Sequence, residues 1–150
     1  MSISHRAVTA VALMTLAIAS GCGSTEPPST GPRDVLALII NGTLQSEVLV
    51  PDTVSVGAPF TVSFTSIGGG CTTATPRVDV HVSGLSADVR GYDHVSGSDI
   101  CTQNIVMLPH SATLSFTQRG TATVHIIGNA RLDGNPAIAV GELDRTVVVQ

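Results

Sequence analysis

Residues 60–65 read FTVSFT, and this stretch decides the fold. Phe60, Val62 and Phe64 alternate with Thr61, Ser63 and Thr65, so an extended chain here turns one apolar face inward and one hydroxyl-bearing face outward. The same period recurs along the chain. Val78, Val80 and Val82 alternate with Asp79, His81 and Ser83; Ala112, Leu114 and Phe116 alternate with Thr113, Ser115 and Thr117; Ala122, Val124 and Ile126 alternate with Thr121, Thr123 and His125. Further strand candidates are residues 35–40, 47–50, 53–56, 87–92 and 146–149. Turn formers separate them: Pro51-Asp52, Gly57, Gly68-Gly69-Gly70, Gly84, Gly97, Pro109, Gly120 and Asp133-Gly134. No stretch sustains a helical period. Short half-buried strands with this punctuation predict an all-β fold, an antiparallel β-sandwich of about seven to eight strands over residues 34–150.

Composition limits what such a domain can do. With 3% aromatic residues and no Trp, its core has to be built from Val, Ile, Leu and Ala around Phe60, Phe64 and Phe116. Seven arginines and no lysine stand against eleven carboxylates, giving a net charge of -4. That sign argues against nucleic acid as a partner, because such binding rests on cationic contacts to phosphate. The missing lysine removes Schiff-base chemistry.

Residues 1–22, MSISHRAVTAVALMTLAIASGC, have the layout of an export signal: a short leader with His5 and Arg6, an apolar run, then small residues. The run is too short to span a bilayer, which takes about 20 apolar residues. Its end, Ala19-Ser20-Gly21-Cys22, resembles the lipobox of bacterial lipoproteins. The resemblance implies that residues 1–21 are removed and that Cys22 carries lipid. It also implies a location in the bacterial cell envelope, at the outer membrane in cells that have one, since Gly23 rather than Asp follows the cysteine. Residues 22–33 are rich in Pro, Ser and Thr, cannot bury a core, and read as a tether. Once Cys22 is assigned to lipid, two of the three cysteines are left, and Cys71 and Cys101 are expected to pair in an oxidising compartment.

From about residue 50 the chain resembles bacterial immunoglobulin-like domains. The likeness rests on Pro-x-x-Val-x-Val-Gly-x-Pro-Phe-x-Val at 51–62 and Gly-Thr-Ala-Thr-Val at 120–124. In such a sandwich the strands holding His81 and His125 would be neighbours, so Asp79, His81 and His125 could converge on a solvent face and accept zinc or copper. Polar residues are expected on that face in any case, and no cofactor is expected. The other groupings are weaker. His94, Ser96 and Asp99 read as a polar loop, and the order Cys101, Met107, His110 does not follow the cupredoxin pattern. Asp93, Gly97 and Asp99 lack the oxygen density of a calcium loop. No Gly-x-Ser-x-Gly elbow is present, so no enzyme is expected. What remains is a non-catalytic, membrane-held interaction or structural module, contacting an envelope protein or glycan.

Overall fold

A computed structural model describes residues 31–135 and 137–150; Cys22 and the stretch read as an export signal lie outside them. The described chain is all-β and forms two packed sheets of eleven strands. The smaller sheet joins β4 (Val48–Leu49), β6 (Phe60–Gly68) and β9 (Val106–Leu114), all antiparallel. In the larger, β7 (Thr72–Ser83) pairs with β8 (Ser86–Val95), β8 with β10 (Gly120–Arg131), β10 with β11 (Ala139–Val149), and β11 with β5 (Thr53–Val54).

The inward residues of the alternating runs meet between the sheets. Val62 and Phe64 from β6 and Leu114 from β9 face Val89, Val124, Ile126 and Val147, and Phe116 seals the layer against Phe60, with ring centroids 5.8 Å apart. Each such side chain stabilises the fold by about 1.5–3 kcal/mol through its removal from water. A core poor in aromatics thus reaches adequate size by number.

The expected sandwich holds, but its strands differ from the expected set in several ways. There are eleven, because the N-terminal segment adds three short ones. Three pairings are parallel, β8 with β10, β2 with β10 and β5 with β11. The sheet begins one residue before the expected start of the domain, since Arg33 is already paired with Val95. Residues 35–40 are not one strand. β1 (Arg33–Leu36) runs antiparallel to the end of β8, the chain turns at the fully buried Ala37, and β2 (Leu38–Asn41) returns parallel to the end of β10 before a hairpin leads into β3 (Leu44–Gln45). Finally, Pro109 does not break the chain but lies within β9, which among the described residues pairs only with β6; an edge strand tolerates a residue without an N–H.

β1 and β2 therefore fill a fork that opens where β8 and β10 part beyond Val89 and Ile126. Ala37 closes its apex, donating its N–H to Gly91 O (2.9 Å) and accepting from Asn129 N (2.7 Å). The fit depends on Gly128: a Cβ there would lie 2.5 Å from the Ala37 carbonyl oxygen and 2.7 Å from Ile39 Cγ2. Backbone cannot yield as a side chain can, so Gly128→Ala is expected to cost about 2–3 kcal/mol. Urea denaturation should register this as a lower midpoint. Gly69→Ala, whose Cβ would meet nothing within 4 Å, should leave the midpoint nearly unchanged.

Candidate functional site

Polar chemistry collects in three places: the outer face of the larger sheet, a buried cluster between the sheets, and the end of the sandwich that carries the disulfide.

On the outer face, register sets the neighbours. His81 stands opposite Asp88, Asp88 beside His125, and His125 opposite Asp144, so one row crosses β7, β8, β10 and β11. Asp79, His81 and His125 do share this face. They are not gathered, because β8 lies between β7 and β10 where the immunoglobulin-like pattern would make those strands adjacent. Asp79 has other partners. Arg77 Nη2 donates to its Oδ2 at 2.9 Å, and the same guanidinium lies 3.9 Å over the Tyr92 ring. The hydrogen bonds from Arg77, then Tyr92, hold the Asp79 carboxyl below its usual pKa, while the bond to Asp79 raises that of the Tyr92 hydroxyl.

His125 instead meets β11. Its Nδ1 is 2.5 Å from Glu142 Oε1 and 2.9 Å from Asp144 Oδ1. Partial burial works against the imidazolium, but Asp144 and Glu142 together outweigh it and raise the pKa above the ordinary 6.5. The cross-strand pair therefore holds β10 to β11 most firmly below neutral pH and weakens as pH climbs through the raised value. At the other end of the face, His94 Nδ1 meets Asp34 Oδ1 at 2.9 Å, which ties β8 to β1 rather than to Ser96 or Asp99.

The buried cluster joins Ser66 of β6, Asp93 of β8 and His110 of β9. Ser66 Oγ donates to Asp93 Oδ2 at 2.7 Å, and His110 Nε2 lies 3.0 Å from Ser66 Oγ and 3.1 Å from Asp93 Oδ1. The ring stacks on Phe64 at 5.0 Å, and Nδ1 has no hydrogen-bond partner among the described residues. These are the residue types of a catalytic triad in a different arrangement. A triad sets serine on one ring nitrogen and carboxylate on the other. Here both address Nε2, the serine proton is given to the aspartate, and all three side chains are sealed from solvent. The geometry performs cross-linking: one polar knot ties the two sheets together. With Asp93 buried here, it is also removed from any calcium loop with Gly97 and Asp99.

At the third place, Cys71 and Cys101 are joined by a disulfide with Cα atoms 5.3 Å apart, as the cysteine count predicts. Cys101 is thereby unavailable as a copper ligand. The loop after β8 and the β10–β11 loop border a cleft of about 370 Å³, whose lining includes Ile67, Ile105 and Ile138 with Asn104, Asn129 and Arg131. Ile100, in the disulfide loop, is 89% exposed.

Fold and site together define a disulfide-stapled all-β sandwich with an apolar-rimmed cleft at one end. No protein-family model, curated protein or solved structure matches the chain.

Proposed function

We propose that this is a lipid-anchored protein of the bacterial cell envelope whose sandwich is a non-catalytic interaction module. The observation that carries the reading is the Cys71–Cys101 disulfide. It accounts for two of three cysteines, fits an oxidising compartment, and leaves Cys22 at the end of the export-type run as the lipid acceptor. With three acyl chains, as the lipobox resemblance implies, the anchor exceeds the two signals that stable membrane attachment needs.

The cleft end supports the binding role. Exposed Ile105 and Ile138 beside a concavity with a few amides and one arginine are what a contact surface for a protein segment or glycan requires. That end also receives the tether, because Arg33 pairs with Val95 immediately before the disulfide loop. Eleven Cα–Cα steps lead from Cys22 to Arg33, a reach of at most about 40 Å. The contact surface would therefore work close to the bilayer.

Cys22→Ser is expected to accumulate as unprocessed precursor or to leave the membrane fraction, and only the wild type should incorporate labelled fatty acid. A mutant that fractionates like wild type, with no label in either, would remove the anchor from this reading.

A further inference from the structure

We propose that His125, Glu142 and Asp144 form a surface site for a divalent metal ion of the zinc type, ligated by His125 Nδ1 and one oxygen from each carboxylate. The site goes beyond the anchoring and interaction roles and does not depend on them.

Two strands build it. His125 and Asp144 are a directly paired position on β10 and β11, and Glu142 lies two residues along β11 on the same face, so the ladder itself fixes the three donors as neighbours. Their ligating atoms all lie within 4.8 Å of one another. The contacts also contain a mismatch. Both carboxylates converge on a single ring nitrogen, at 2.5 and 2.9 Å, so one N–H has to be shared between two acceptors and aligns fully with neither. A divalent cation in place of that proton would satisfy the nitrogen and both oxygens together.

The surrounding charges leave the position open. The nearest carboxylate across the sheet, Asp88, accepts from Arg90 Nη2 at 3.1 Å, and Arg145 Nη1 donates to the Asp144 backbone carbonyl rather than to its carboxylate. Zinc takes nitrogen and oxygen ligands at about 2.0–2.2 Å, which places tetrahedral donors about 3.4 Å apart. Exposed Glu and Asp side chains can open to that spacing by small rotations. Three protein donors leave a fourth position for water or a donor from a partner. A lone imidazole and two carboxylates are too few for calcium, which takes six to eight oxygens.

The test is calorimetric titration of Zn²⁺ into the full-length protein in detergent, with Ca²⁺ titrated in parallel. One zinc per chain is expected, with no calcium isotherm. His125→Ala, and separately Glu142→Gln with Asp144→Asn, should each weaken zinc at least about tenfold, while His94→Ala and His81→Ala leave it unchanged. Circular dichroism of each variant confirms that the sheet is retained. Absence of a zinc isotherm, an isotherm untouched by His125→Ala, or one lost equally in His81→Ala would overturn the proposal.

Discussion

Asp93→Ala is expected to destabilise the domain by about 2–5 kcal/mol, the cost of removing the shared acceptor from a buried hydrogen-bonded cluster. The cause is what stays behind. Ser66 Oγ and His110 Nε2, 3.0 Å apart, would keep only each other as partners in a sealed space, and each under-satisfied group carries its own desolvation penalty. Against a total stability of about 5–15 kcal/mol, the loss approaches unfolding for a domain at the lower end. Chemical denaturation of the wild type and of Asp93→Ala and Asp93→Asn separates the contributions. Asparagine keeps the shape and one acceptor oxygen, so it should cost clearly less than alanine. Equal losses in the two would show that volume, not hydrogen bonding, sets the effect.

Opening the disulfide is expected to have an effect of similar size by a different route. The bridge spans a sequence separation of 30, and on the chain-entropy account a loop of that length stabilises the folded state by about 3.5 kcal/mol. Reduction, or Cys71→Ser with Cys101→Ser, should lower the Tm by about 10–15 °C while leaving the β-type circular dichroism intact at low temperature. Because the bridge acts largely on the unfolded chain and Asp93 on the folded one, the two losses should add within about 0.5 kcal/mol. A Tm that does not change on reduction, or two free thiols in the unreduced denatured protein, would contradict the bridge.

What the sequence made legible follows from which signals are local. Alternation around Phe60, Val78, Ala112 and Ala122 is a property of adjacent residues, and those strands formed where alternation placed them. The cysteine pair was legible by counting. Ser66, Asp93 and His110 were not, because each is a polar residue at an inward position, where a period-two reading expects an apolar one. Their partners lie 17 to 44 residues away, and only the packing of the two sheets brings them together. Pro109 concealed the start of β9, since the same residue breaks a central strand and is harmless on an edge. Glu142 and Asp144 were missed for a related reason: residues 139–146 mix Gly141 with charges and carry no clear alternation, yet the long β10 holds them in a ladder. The outer-face histidines were read correctly as outward, but which carboxylate each would meet depended on strand order.

The fork between β8 and β10 has a mechanical consequence. Under the proposed anchoring, every tug between membrane and domain travels through β1. A tethering strand at a sheet edge would peel away one bond at a time. β1 instead lies inside the fork, held by β8 on one flank, with the chain doubled back through the sealed turn at Ala37 and fastened to β10 on the other. Its bonds to β8 run across the strand, so traction along the tether strains them in shear and all together. Drag on whatever the domain holds would be shared by the centre of the sheet, and the leash should outlast the grip.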